Sequence, residues 1–575
     1  MLKLFRFLKA YALSIGVVVG LLFFQTMADL YLPTLMSDII NNGVMAADTD
    51  YIMKTGGLML LIAGGGVICS IIVSFLSSKV SGGFGTILRN NIFRRVESFS
   101  LHEVDKIGTA TLITRTTNDV TQIQMVTMML MRMMLGAPIM AVGGIIMAMS
   151  NDKPLTLVLV VALPMLAAVV VLLAKKGIPL FKRMQAKIDR INLVLREKLT
   201  GVRVIRAFNR IEHERDRFED VNADLTDTYI KVNRIMAFMM PSIMLIMNFT
   251  TVAILWFGII RIDRGDMDIG ALFAFVQYAM QIMFSMLMVA VMFIMVPRAQ
   301  AAAVRINEVL DTEPEIVDPK NAKEADSVRG YVEFDNVTFS YDDAEKPAVC
   351  NISFSTKPGE ITAIIGSTGS GKSTLVSLIP RFYDVTGGRI LINGIDVRDI
   401  AQQDLRARIG FVPQNAVLFS GSIADNIRYG KNDASMDEVV HAAEIAQAME
   451  FINELEDGFD HRVAQSGANL SGGQKQRLSI ARALIRKPEI YVFDDSFSAL
   501  DFKTDAKLRA ALRKNISEAT VLIVAQRVGT VMDADRIIVL DKGGIGGMGT
   551  HKELLGKCEV YREIVSSQFS EEEIA

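Results

Sequence analysis

The stretch Gly366-Ser-Thr-Gly-Ser-Gly371-Lys372-Ser373 decides how this chain is read. It is a complete G-x-x-x-x-G-K-S pattern. A short apolar run, 361–365, precedes it and Thr374-Leu-Val-Ser-Leu-Ile follows, so the context is strand, loop, helix. Gly366, Gly369 and Gly371, with Ser367, Thr368 and Ser370 between them, let successive backbone N–H groups turn inward around phosphate oxygens. Lys372 is placed to reach the β- and γ-phosphates. The Ser373 hydroxyl, with Thr374 beside it, opens the helix where Mg²⁺ would sit. A chance glycine-rich turn does not fill every specified position after a strand. The chain is therefore expected to bind a nucleotide with Mg²⁺.

Working outward, the 575 residues are too many for one core, and two or more domains are expected. The composition is 51% hydrophobic yet 22% charged, with mean hydropathy +0.33, which points to two unlike halves. A formal net charge of −2 argues against nucleic acid as an electrostatic partner. Cys69, Cys350 and Cys558 lack metal-ligand or disulfide spacing, as suits a reducing cytosolic face. Lys3, Arg6 and Lys9 before an apolar run resemble a signal peptide. The run has no convincing cleavage site and is long enough to span, so a retained first helix is expected.

Upstream of the loop lie six long apolar stretches, at 11–40, 55–78, 133–151, 154–174, 235–260 and 269–297. About 20 such residues cross the hydrocarbon core of a bilayer as a helix, so six spans are expected. Basic residues mark one side. Lys3, Arg6 and Lys9 precede the first span, Arg89, Arg94, Arg95 and Arg115 lie in 79–132, and 175–234 is denser still. The connections 41–54, 151–154 and 261–268 are short or acidic. Positive-inside bias places both termini and the two long loops in the cytoplasm. Those loops read as helical, so the spans are expected to continue beyond the membrane.

Polar residues inside spans are costly unless they face protein or a wet cavity. Gln25, Asp29, Arg132, Gln277 and Gln281 are thus candidates to line a pathway. Arg132 equally fits a snorkelling side chain at the inner interface, and Asp29 the outer end of its span. The chain has 33 methionines, dense from Met125 to Met149, which suit either lipid-facing filler or an adaptable ligand surface.

Downstream, 311–330 with Pro314 and Pro319 reads as a linker, and 331–575 as alternating strands and helices. The run 332–341 reads as an edge strand ending in Tyr341, an aromatic suited to stack on a base. Ser471, Gly472, Gly473 and Gln474 read as a helix start that offers backbone donors to a phosphate. Ile490-Tyr-Val-Phe-Asp494-Asp495 reads as an apolar strand ending in two carboxylates, the first suited to Mg²⁺.

Together the phosphate loop, Gln414 after a strand, Leu470-Ser-Gly-Gly-Gln474, and the Asp-ended strand followed by Ser498-Ala-Leu-Asp501 resemble the nucleotide-binding domain of an ABC transporter. Six spans followed by that domain resemble a bacterial multidrug-type half-exporter, and the likeness covers nearly the whole chain. It implies an α-helical polytopic membrane domain (1–310) fused through 311–330 to an α/β P-loop NTPase domain (331–575). By the resemblance, Tyr341 stacks on adenine, Gly366–Thr374 is the Walker A loop and Gln414 the Q-loop glutamine, a Mg²⁺ ligand with Ser373 and Asp494. Ser471–Gln474 is the signature, Asp494 the Walker B aspartate and Asp501 the D-loop. In this family two such domains close head to tail, each ATP lying between one Walker A loop and the other signature, which implies a second homologous half-transporter. Segments near 101–108 and 204–214 resemble elements that dock on the nucleotide domains, although each also reads as plain solvated helix.

Two departures from the family pattern stand at the catalytic positions. Asp495 occupies the place of the glutamate that polarises the attacking water, and Gln526, in Ala525-Gln526-Arg527, that of the switch histidine. Aspartate is one methylene shorter, and glutamine carries neither proton nor charge. Gln465 is a third change, where exporters usually show glutamate. With loop and signature intact, the pattern resembles the degenerate-site subunit of a heterodimeric exporter: this chain's Walker motifs hydrolyse slowly, and its signature completes the partner's competent site. A homodimeric exporter of lipid or peptide, and an ATP-gated regulator or channel, are the alternatives. The apolar, Met-rich membrane half suggests amphipathic or cationic small molecules as cargo, with Asp29 as a counter-charge.

Overall fold

The computed structural model describes residues 1–134, 136–323, 329–342 and 344–569. The predicted linker residues 324–328 lie outside the described residues. The chain divides into two units, Met1–Glu97 with Thr109–Thr312, and Ser98–Gly108 with Glu313–Ala575.

In the first unit, six helices are long and apolar enough to cross a membrane: Leu2–Val44, Thr49–Glu97, Thr109–Asn151, Lys153–Thr200, Ile211–Asp263 and Ile269–Val289. Each contains a predicted span or most of one, and the second to fifth run far past it. Continuous helix is what a lipid solvent requires, because every backbone N–H and C=O is then satisfied within the segment. Prolines sit inside the first, fourth and fifth of these helices, at Pro33, Pro164, Pro179 and Pro241, and Pro297 lies where the sixth continues toward Asp311. π-Helical turns interrupt the first at Ile39–Val44 and the third at Arg115–Asp119 and Leu130–Met134.

Small residues allow close helix crossings. A Cβ on Gly143 would meet Leu30 Cδ1 at 2.5 Å, and one on Gly144 would meet Ile282 Cγ1 at 2.7 Å. The third helix therefore approaches the first and sixth to a distance only glycine permits. Phe275, Tyr278 and Ile282 are fully buried at that core. Ion pairs fasten both ends: Arg305 clasps buried Asp119, and Arg115 meets Glu308 at 2.9 Å. At the other end Asp152 caps Lys153–Thr200 through Leu155 N (2.8 Å) and accepts from Arg261 Nε (2.8 Å).

The second unit has two main sheets. Its strands are β1 Val332–Phe339, β2 Val349–Thr356, β3 Ile361–Gly366, β4 Gly387–Ile392, β5 Ile395–Asp396, β6 Ile409–Val412, β7 Gly421–Ser422, β8 Arg462–Val463, β9 Ile490–Asp494, β10 Thr520–Val524, β11 Arg536–Asp541 and β12 Gly544–Gly549. The larger sheet runs β12-β11-β3-β10-β9-β6, parallel except for β12. β9 and β10 are buried along their whole length, as in a parallel sheet covered on both faces. The smaller sheet is antiparallel, β2-β1-β4-β5, and β7 pairs with β8.

Two expectations fail here. β1 is not an edge strand, because β2 and β4 pair on either side of it. Its alternating pattern reports one buried face, with Phe334 stacked on Phe354 at 4.5 Å, and is silent about how many neighbours it has. Nor do strands and helices alternate from residue 331: three strands precede the first helix, Lys372–Ser377.

Candidate functional site

β3 carries the chain into the phosphate loop, where Gly369 and Gly371 take φ of +82° and +94°. A Cβ on Gly371 would lie 2.4 Å from the Ala348 carbonyl oxygen, so angle and space both demand glycine. Lys372 Nζ donates to the carbonyls of Gly366 (2.9 Å) and Ser367 (2.8 Å), folding over its own loop. Burial lowers the lysine pKa, and the nearby Asp495 and Asp494 oppose that. Ser373 Oγ donates to Asp494 Oδ1 at 2.9 Å. The Ser370 hydroxyl is buried without a partner.

These residues fit a nucleoside triphosphate with Mg²⁺. The loop supplies an orphaned hydroxyl and a cationic amine, and Ser373 with Asp494 supplies a hard oxygen pair. Mg²⁺ is usually bound by one or two carboxylates plus phosphate and water. Among the described residues no cluster of three His, Cys, Asp or Glu would hold a metal alone. Bound there, the ion would neutralise charge on the phosphates.

The two carboxylates at the end of β9 face different tasks. Burial raises the pKa of both Asp494 and Asp495. Asp495 sits at φ +46°, a left-handed conformation that aspartate tolerates. Its Oδ2 accepts from Gln414 Nε2 at 3.2 Å and from Gln526 Nε2 at 2.9 Å. Two neutral amides from distant parts of the sequence thus converge on one carboxylate oxygen. Gln414, expected as a Mg²⁺ ligand, gives its amide nitrogen to Asp495.

Tyr341 stands at the loop's margin, 42% exposed, with its hydroxyl 3.1 Å from Thr374 Oγ1. Its ring meets Phe339 and Tyr383 edge to face, at centroid distances of 4.9 and 5.6 Å. Sequence reasoning missed Tyr383. Its hydroxyl donates to Asp105 Oδ2 at 2.9 Å, and burial pushes the phenol above its ordinary pKa. Asp105 belongs to the short helix Leu101–Ile107, where His102 Nε2 also lies 3.2 Å from Asp342 Oδ2. The segment 101–108 therefore docks on the nucleotide unit beside Tyr341. By contrast, the segment near 204–214 is a short helix and turn that leaves Val204, Phe208 and Ile211 exposed.

Ser471 caps the helix Gly472–Leu484. Its Oγ accepts from Gln474 N (3.3 Å), and Gln474 Oε1 accepts from Ser471 N (2.8 Å), a reciprocal capping box. Ser471 and Gly472 are exposed, and a Cβ on Gly473 would press on Ala499 O at 3.1 Å. Asp501 caps Phe502–Asn515 through Thr504 N at 2.9 Å. Gln465 opens a tight turn in which Ser466 takes φ +54°. Around the loop the hydrogen bonds form three sets: Lys372 on its own loop, Ser373 on Asp494, and Gln414 and Gln526 on Asp495. Among the described residues none of these sets extends to Ser471–Gln474 or Asp501.

Comparison with known proteins meets this geometry at both units. The family description "ABC transporter transmembrane region" matches residues 15–286, and "ABC transporter" matches 349–498. An uncharacterized ABC transporter ATP-binding protein of Mycobacterium tuberculosis is 45% identical over 98% of this chain and 97% of its own. The chain belongs to the ABC transporter family. An ATP-dependent lipid A-core flippase of Vibrio vulnificus is 30% identical over 99% of this chain and 97% of its own length. A bacterial Atm1-family ABC exporter, solved with ATP bound, superposes with a TM-score of 0.81 at 26% identity, over 97% of this chain and 98% of that one. The ABC exporter fold is thus a helical membrane domain joined to an ATP-binding ATPase domain. ABC exporters work as dimers within the lipid bilayer.

Proposed function

We propose that this chain is one half of a heterodimeric ABC exporter that moves amphipathic small molecules across the cytoplasmic membrane. In this reading 1–310 is the membrane domain, 311–330 the linker and 331–575 the nucleotide domain. Both termini and the nucleotide domain are cytoplasmic, in keeping with the Lys- and Arg-rich segments on that side. Gly366–Thr374 holds the phosphates, Tyr341 stacks on adenine, and Ser373, Asp494 and Gln414 hold Mg²⁺. Ser471–Gln474 and Asp501 serve the partner's ATP.

The observation that carries the unequal-site reading is the carboxylate oxygen of Asp495, tied to the amides of Gln414 and Gln526. A general base must reach the proton it takes, and a misplacement of about 1 Å costs on the order of 100-fold. Asp495 is a methylene short of the family's glutamate, its Oδ2 is engaged by two neutral donors, and neither amide can take up a proton. The site keeps what binds ATP and loses what activates water. The test is ATPase activity of the chain alone and co-purified with a candidate partner. Negligible activity alone and robust activity with the partner are expected. Robust activity of the unmodified chain alone would sink the reading.

A homodimeric lipid exporter is the second reading, favoured by the flippase likeness over nearly the full length. It requires two identical Asp495 sites to power transport, so the same assay separates the two.

A further inference from the structure

A half-open cavity of about 430 Å³ lies between the first, second and third helices of the membrane unit. Three polar side chains reach its wall, one from each helix: Gln25, Ser70 and Arg132. Among the described residues none of the three makes a side-chain hydrogen bond or ion pair. Methionines 128, 129 and 133 supply much of the remaining wall. Arg132 lies within the π-helical turn Leu130–Met134, an irregularity common at functional sites.

Each feature points to a ligand. At the border of the hydrocarbon, an exposed arginine without a counter-charge, with an unpaired amide and hydroxyl beside it, presents several donors to a headgroup. The lining contains no carboxylate, so the free charge in this cavity is positive. Level also matters. Gln25 precedes Val44, Ser70 follows Thr49 and Arg132 precedes Asn151 by roughly 20 residues each, which at 1.5 Å per residue is about 30 Å. The three therefore lie at a common depth, one hydrocarbon thickness from the short connections, at the opposite interface. A charged head meets an apolar interior at that depth. Methionine side chains, flexible and polarisable, suit a tail of variable shape.

We propose that this cavity binds an anionic amphiphile, its phosphate or carboxylate head on Arg132 with Gln25 and Ser70 donating, and its tail against the methionines. The proposal deepens the export reading and rests on it for the meaning of the site, as an entry point for cargo. It reverses the sign of charge expected from Asp29 alone. Asp29 follows Gln25 by one turn, toward the far end of the helix, and does not line the cavity. A planar guanidinium forks onto an oxyanion bidentately, so arginine rather than merely positive charge sets the preference.

The test is equilibrium binding to the full-length chain in detergent, without ATP or partner, by fluorescence anisotropy. Two probes share one labelled acyl chain, with a phosphate head on the first and a trimethylammonium head on the second. The phosphate probe is expected to bind about tenfold more tightly than the cationic one, the scale of one charge-assisted hydrogen-bonded contact. Arg132→Ala is expected to remove that tenfold preference, Arg132→Lys to keep part of it, and Arg132→Glu to favour the cationic probe. Variants are compared only where they elute as one peak with the wild-type thermal midpoint; the lysine variant keeps the test available should alanine fail to fold. Equal binding of the phosphate probe to wild type and Arg132→Ala overturns the proposal. So does tighter binding of the cationic probe that is lost in Asp29→Asn. Competition by inorganic phosphate at the probe's own concentration would overturn the amphiphile assignment, and its failure to compete supports it. Because no hydrolysis is measured, a chain that discriminates the probes yet transports nothing defeats the export reading and leaves the site standing.

Discussion

The two halves of the ATP site follow different rules. Around the phosphates, Gly366–Thr374 and Asp494 keep every residue the chemistry needs, down to a glycine at 371 whose replacement would strike Ala348. At the ends of β9 and β10, the positions proposed to activate water carry Asp495 and Gln526. On the proposed reading, holding ATP and cutting it are separable requirements. The first needs backbone donors and a cation in place, which a rigid loop supplies. The second needs a base at one fixed point, and a single methylene moves it.

The largest effect should come from erasing the difference. Asp495→Glu with Gln526→His is expected to raise hydrolysis by about 100-fold or more, the range of general-base catalysis, in steady-state phosphate release. No gain would mean that the slow step lies elsewhere. Attacking the intact half comes next. Lys372→Ala should weaken ATP binding by about 30-fold, measured with a fluorescent analogue, because a charge-assisted contact to phosphate is lost. An unchanged affinity would show that the amine, folded onto Gly366 and Ser367, never leaves its loop.

How much of this was legible in the sequence depends on how local the cause is. Gly366–Ser373 fixes its loop within eight residues, and Ser471 with Gln474 writes its capping box within four, so both were readable. The apolar runs announced six helices, since lipid leaves the backbone no alternative. β1 was misjudged because the strand that makes it interior, β4, arrives about 50 residues later. Tyr383 gave no periodic or motif signal; only the fold sets it between Tyr341 and Asp105. The identities of Asp495 and Gln526 were visible. Their convergence, with Gln414, on one oxygen was not, because the three stand more than 30 residues apart in the chain.

Two smaller tests sharpen the comparison at its borders. Tyr383→Phe deletes the hydrogen bond to Asp105 and should cost about 1 kcal/mol of stability in the nucleotide unit by chemical denaturation. No change would mean that helix Leu101–Ile107 docks without it. The smallest effect concerns charge. Burial raises the native pKa of Asp495 above its unfolded value, so ionisation penalises the folded state. That penalty is present in full above the native pKa and fades as pH falls to the unfolded value. Asp495→Asn should therefore raise the thermal midpoint at pH 7, with a gain that shrinks steadily toward pH 4. A gain independent of pH would assign it to something other than charge.

The most direct measurement follows the fate of the nucleotide on this chain itself. The chain, assembled with its partner and turning over Mg-ATP, is photolabelled with azido-ATP carrying either an α- or a γ-phosphate label, and the subunits are then separated. The account predicts that the γ-label stays on this chain in near-equal ratio to the α-label while phosphate is released in bulk, and falls in the Asp495→Glu, Gln526→His variant. A γ-label lost from the unmodified chain as fast as phosphate appears would contradict it, and Asp495 would then be a competent base.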